Sequence, residues 1–330
     1  MEYQESTKYN LNYYGADYPV DSLVQRMQRN EIIIPHFQRE YVWKHDEASK
    51  FIESLLLRLP VPSIFLLRDK ETNKLIIIDG QQRLKTLLYF FDGKFPDGKS
   101  FYLKGVVKEY EKLTYNELNP SDQRELDNSI IHCIVIMDED DSDAPYHIFE
   151  RLNTTGTPLT SQEIRSALYF GQFNDLLIEL SRTDAWHKIT YKDIRLTDQE
   201  YILRLIAMYY DLSHYNGSMK SFLNQFMLKN RNLNNFSPDE VRNFFIPTID
   251  ILSKYFAFRN KAFSIAFFEP IFYFIAKHLQ EDIKDRRLSD ILTALENDEG
   301  YMKLCKSSTS TRSSVFHRFE YVKNVFIDAL

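Results

Sequence analysis

Ile76-Ile77-Ile78-Asp79-Gly80-Gln81-Gln82-Arg83 is the stretch whose reading decides the fold. Three β-branched residues predict the end of a buried strand, and Asp-Gly breaks it. The apolar positions Leu84, Leu87, Leu88 and Phe91 then follow at helical spacing, so Gly80 to Phe91 is expected as a helix. A helix N-terminus presents amides that its own ladder does not use and carries partial positive charge, which suits an anion. Gly80 permits close approach, Gln81 and Gln82 add amide donors, and Arg83 can grip a phosphate through two parallel hydrogen bonds. Asp79 at the strand end can hold Mg²⁺ or orient a water. On chemistry alone a plain strand–helix turn with a surface arginine is an equal alternative.

Upstream, Val20 to Arg29 reads as a short helix and Ile32-Ile33-Ile34 as a β-branched run stopped by Pro35. Phe51, Ile52, Leu55, Leu56 and Leu59 mark a helix over 46–59, ended by Pro60-Val61-Pro62. Ser63 to Arg68 and Lys74 to Ile78 predict two strands around the polar turn 69–73. Ser129 to Met137 predicts another, with Cys133 buried inside it and the acidic turn 138–141 closing it. Beyond residue 143 the patterns are helical: 143–152, a helix opened by the capping box Thr160-Ser161-Gln162-Glu163, then 172–182, 198–211, 218–229, 238–256, 263–279, 285–297 and 313–328. The fold class is therefore α+β: a domain at 1–170 with a small mixed sheet, then an all-helical domain at 171–330.

Composition narrows the function. The 330 residues carry a formal charge of −6, so no bulk attraction to a nucleic-acid backbone is expected, although a local basic groove remains open. Two cysteines, Cys133 and Cys305, give neither a disulfide framework nor a thiolate metal cluster. The most apolar stretch, 255–279, is interrupted by Arg259, Lys261, Glu269 and Pro270 and falls short of the roughly 18 apolar residues of a membrane span. The residues after Met1 lack the pattern of a signal peptide, and a cytoplasmic location is expected.

Two further segments carry candidate chemistry. In Ile34-Pro35-His36-Phe37-Gln38-Arg39-Glu40-Tyr41-Val42-Trp43, Arg39 can reach a phosphate, and His36, Tyr41 and Trp43 are candidates to meet a base or DNA; an edge loop with a packed tryptophan is the structural alternative. In Phe149 to Thr160, Asn153, Thr154 and Thr155 offer donors next to another helix N-terminus, in what is otherwise a helix–loop–helix connection. The hydroxyl-rich stretch Lys303 to Ser314 reads first as a mobile linker to the last helix, with a phosphate contact as the alternative. The segments contain no Gly-rich Lys-Ser/Thr loop, no His-Glu-x-x-His and no G-x-S-x-G.

Taken in order, Phe37-Gln38-Arg39, Asp79-Gly80-Gln81-Gln82-Arg83 and Phe149-x-x-Leu152-Asn153-x-x-Gly156 resemble the N-terminal domain of GmrSD-type restriction endonucleases. Ser54-Leu55-Leu56, Leu59-Pro60-Val61-Pro62 and Leu159-Thr160-x-x-Glu163-Ile164-Arg165 fit the same pattern, which is dense over 20–175. The resemblance implies a ParB/sulfiredoxin-like core and a role in prokaryotic anti-phage defence or restriction. It further implies binding, and hydrolysis, of a nucleoside triphosphate (GTP or ATP) with Mg²⁺. The nucleotide would be held by Gln38, Arg39, Gly80, Gln81, Gln82, Arg83, Lys85 and Asn153, with Asp79, Gln82, Arg83 and Arg39 in catalytic roles. Complete enzymes of this type carry a His-Asn-His nuclease domain; here the late histidines His214, His278 and His317 are scattered, so cleavage is expected from a protein partner. The competing expectations are a non-catalytic module that recognises modified DNA and, third, a weak nuclease.

Overall fold

The computed structural model describes residues 12–34, 41–137, 144–152, 159–190, 195–256, 264–280 and 285–329. The chain divides into two compact units, Met1–Pro158 and Leu159–Leu330.

The first unit is built on five strands, β1 (Tyr13–Pro19), β2 (Ile32–Ile33), β3 (Ile64–Arg68), β4 (Leu75–Asp79) and β5 (Ile130–Met137), in the spatial order β1-β5-β3-β4-β2. β1 pairs antiparallel with β5 and β3 antiparallel with β4, whereas β3–β5 and β2–β4 are parallel, so the sheet is mixed as the sequence predicts. Helices α1 (Val20–Gln28), α2 (His45–Leu56), α3 (Gln81–Asp92) and α4 (Pro120–Asn128) pack together: α1 and α2 each meet both α3 and α4. Their apolar positions join Ile64, Leu66, Leu75, Ile77, Ile131, Cys133 and Val135, alternate residues of the strands, in one core. The opposite set, Leu67, Ile76, Ile78 and Ile136, is also buried. Helix α5 (Ala144–Leu152) packs against β4.

Two of these elements escape the periodicity reading. β1 spells Tyr-Tyr-Gly-Ala-Asp-Tyr-Pro and is mostly exposed. It is a strand because β5 supplies its hydrogen bonds along the full length, not because its residues favour one. Helix α4 is short and polar; its start is fixed by Asn119, whose side chain accepts from the Ser121 and Asp122 amides at 3.0 Å each, with Pro120 in the first turn.

The second unit is helical throughout its described residues: α6 (Ser161–Leu168), α7 (Gln172–Ser181), α8 (Asp184–Ile189), α9 (Thr197–Asp211), α10 (Met219–Lys229), α11 (Pro238–Phe256), α12 (Ile265–Lys277), α13 (Asp285–Asn297), α14 (Glu299–Leu304) and α15 (Arg312–Ala329). The capping box forms as predicted. Thr160 Oγ1 accepts from the Glu163 amide at 3.1 Å, and Glu163 Oε2 accepts from the Thr160 amide at 2.6 Å.

An alternating row of charges runs through this unit. Arg165 on α6 bonds Glu200 on α9 at 2.9 Å, and Arg204 follows Glu200 by one turn. Arg204 grips Glu269 on α12 with two hydrogen bonds, and Glu269 Oε1 also accepts from Arg318 Nη2 on α15 at 2.7 Å. Glu269 and Arg318 are fully buried. Burial presses the Arg204 guanidinium toward neutrality, but Glu269 more than offsets it and the pKa rises.

Arg318 also settles the hydroxyl-rich stretch. It donates to the Leu304 carbonyl at 3.2 Å and the Thr309 carbonyl at 2.8 Å, while the Tyr215 hydroxyl bonds the Ser310 carbonyl and Arg312 Nε donates to the Tyr215 carbonyl at 3.2 Å. The expected mobile linker is therefore a pinned connection, with Lys303 and Leu304 in α14 and Arg312 already in α15. Buried arginine donors reaching its carbonyls are the physical reason. No helix among the described residues is long and apolar enough to cross a membrane.

Candidate functional site

β4 runs directly into α3 through Gly80, the residue before the first helical turn, at φ +97°. That left-handed backbone suits glycine, and packing adds a second reason: a Cβ there would lie 2.8 Å from Ile64 Cγ1. The helical ladder opens with the Leu84 amide donating to the Gly80 carbonyl at 3.0 Å. The amides ahead of Leu84 thus stand outside that ladder at the end of the sheet.

The side chains of this turn point in different directions. Arg83 turns inward, with its side chain 12% exposed. Nη1 donates to the Pro62 carbonyl and, at 3.0 Å, to the Ser63 carbonyl; Nη2 donates to Asp79 Oδ2 at 2.8 Å. Burial lowers the Arg83 pKa and the Asp79 carboxylate pulls it back up, and an arginine remains charged through such a shift. The guanidinium expected to clamp a phosphate is therefore engaged within the fold, bracing the entrance to β3 against the end of β4. Asp79 keeps 43% of its side chain exposed, with Oδ2 held by Arg83.

Gln82 reaches the other way. Its Oε1 accepts from the Val42 amide at 3.0 Å and the Trp43 amide at 3.3 Å. One turn on, the fully buried Thr86 donates from Oγ1 to the Gln82 carbonyl and shares a second hydrogen bond with the Tyr41 hydroxyl, both at 2.7 Å. Tyr41 also meets Tyr89 edge-on at 5.1 Å between centroids, and Trp43 meets Phe51 at 5.7 Å. Desolvation raises the Tyr41 phenol to a pKa of about 12. Both rings, expected as base contacts, are thus partly buried packing residues of their own unit, because aromatic area is stabilised by the core.

Gln81 and Lys85, four residues apart, share a side of α3, and both are half-buried. His36, Gln38, Arg39 and Asn153 lie outside the described residues, as do Thr154 and Thr155. Sequence reasoning missed Thr86 and the carbonyls of Pro62 and Ser63. A threonine inside an apolar helix face was a signal available for the first. Backbone acceptors leave none. Among the described residues no group of three His, Cys, Asp or Glu side chains could hold a metal ion.

Residues 20–170 match the family model described as GmrSD restriction endonuclease, N-terminal domain. That part of the chain is a GmrSD-type N-terminal domain. Among curated proteins, the chain is similar to uncharacterized protein MJ0686 of Methanocaldococcus jannaschii, with 27% identity over 132 residues, 33% of this chain and 21% of that protein. The chain thus spans about a fifth of that relative's length.

Proposed function

We propose that the GmrSD-type domain at 20–170 binds and hydrolyses a nucleoside triphosphate in a prokaryotic restriction or anti-phage system, and that its nucleotide state gates a partner effector. One observation carries this reading. A half-exposed carboxylate, Asp79, is held in place by an inward arginine at the start of a helix that a left-handed glycine opens. The first-turn amides of α3 would receive the polyphosphate, with Gln81 and Lys85 beside it. Asp79 would bind Mg²⁺ or orient the attacking water, and Gln38, Arg39 and Asn153 complete the set that the family likeness suggests. Phosphoryl transfer needs little else from a protein than such positioning and charge stabilisation.

The test is titration of the purified chain with GTP and ATP in the presence of Mg²⁺, followed by phosphate release. Gln81→Glu is the informative variant. A carboxylate in the first helical turn favours the helix dipole and should leave the melting temperature unchanged or higher. It should repel a polyphosphate and weaken binding by about tenfold or more. Asp79→Asn should abolish phosphate release. If neither nucleotide binds, while modified DNA binds with strong salt dependence, the domain is a DNA-recognition module instead.

A further inference from the structure

From positions next to each other, Gln82 and Arg83 tie down two different chain segments beside Gly80. Gln82 holds the amides of Val42 and Trp43, and Arg83 holds the carbonyls of Pro62 and Ser63. The two segments lie on either side of α2 in the sequence and flank the start of α3. We infer that Gln82 and Arg83 are positioning residues: they fix the aperture around the α3 N-terminus, and neither is a direct phosphate ligand. This rests on the nucleotide reading above and refines which groups touch the ligand.

Three observations carry it. The Gln82 oxygen already accepts two backbone amides, so turning that side chain to a ligand would strand both donors. The same stretch is fastened a second time, through Tyr41, Thr86 and the Gln82 carbonyl. Arg83 is largely buried and donates to three oxygens, two of them uncharged carbonyls. Releasing it to a phosphate would leave those carbonyls and Asp79 without their partner. Ligand contact then falls to the backbone amides and to the other residues of the proposed set, Asp79, Gln81 and Lys85 among them.

Two measurements test the inference on the full chain. The first is residue-resolved amide hydrogen exchange without nucleotide. Gln82→Met keeps length and removes the acceptor, and it should speed exchange at Val42 and Trp43 by about tenfold or more. Gln82→Glu restores an acceptor oxygen and should return the protection. Arg83→Ala should speed exchange at Ser63 and Ile64. The second is the dependence of MgATP or MgGTP affinity on salt. A guanidinium in direct contact with phosphate contributes strongly to that slope, whereas one already paired with a carboxylate, as Arg83 is with Asp79, contributes little. Arg83→Ala should weaken affinity several-fold and leave the slope of log Kd against log salt as in the wild type. A flattened slope in Arg83→Ala, or unchanged exchange in Gln82→Met, overturns the inference. Should the wild type bind neither nucleotide, the functional reading fails, and the exchange result alone decides the positioning role. If Arg83→Ala does not fold, Arg83→Met, which keeps the apolar length of the side chain, takes its place in both measurements, and Gln82→Met and Gln82→Glu decide the role of Gln82.

Discussion

Alanine at position 80 would meet both the left-handed backbone and the Ile64 side chain, since its Cβ would fall 2.8 Å from Ile64 Cγ1 at φ +97°. Strain of that kind costs about 1–3 kcal/mol, so Gly80→Ala is expected to lower the denaturation midpoint clearly. Arg83→Ala leaves the Pro62 and Ser63 carbonyls and the Asp79 carboxylate without their donor. A loss of about 1–3 kcal/mol should appear in urea unfolding. The two thiols give a further residue-scale expectation. Cys133 is fully buried and burial pushes its pKa up to about 12; Cys305 is 7% exposed, with a pKa of about 11. Both should resist a thiol-specific reagent in the folded protein and react once denaturant is added. Fast labelling of either in native buffer would contradict the burial described.

At the scale of elements, the row Arg165, Glu200, Arg204, Glu269, Arg318 ties α6, α9, α12 and α15 together. Glu269→Gln would leave the guanidiniums of Arg204 and Arg318 facing each other without their carboxylate. A destabilisation on the order of 3–5 kcal/mol is expected. Replacing all three of Arg204, Glu269 and Arg318 with apolar residues of similar volume should cost less, and thermal melts of the two variants compare them directly. The start of α14 offers a pH test. Asp298 accepts from the Tyr321 hydroxyl at 2.5 Å and from the Tyr301 amide at 2.6 Å, and these hydrogen bonds, the Tyr321 one foremost, hold its carboxyl below the usual range. A depressed folded-state pKa stabilises above the unfolded value, about 3.9, and the gain is lost as pH falls through the folded one. Asp298→Asn should remove that part of the acid-side slope in stability. Legibility followed the same physics. α2, α3 and most helices of the second unit could be read because they bury one periodic face, and β3, β4 and β5 because they are short apolar runs with buried residues on both sides of the sheet. β1, α4, α8 and α14 could not: β1 borrows its order from β5, α4 is polar and buries only Leu126, and α8 and α14 are too short for a period to show. In the site, the strand–glycine–helix turn was legible. The inward course of Arg83 was not, because beyond Asp79 its partners are backbone carbonyls about twenty residues upstream, which carry no side-chain signature.

For the whole molecule, Cys133 and Cys305 fall one in each compact unit, so their labelling against denaturant should report each unit's opening separately. Mass spectrometry of the two cysteine-containing peptides gives both curves from one experiment. The net charge of −6 adds a constraint on any polyanion: binding must come from a local field, and it should weaken steeply with salt if the α3 start supplies it. The order of strands has a consequence for biosynthesis. β5 lies between β1 and β3, so during translation Tyr13–Pro19 leaves the ribosome long before the strand that will pair with it has been made. Until Ile130–Met137 emerges, only β2, β4 and β3 can pair, β1 has no neighbour, and the five-stranded sheet cannot be completed. Nascent chains stalled before residue 130 should therefore remain protease-sensitive, and those released past β5 should acquire resistance in one step.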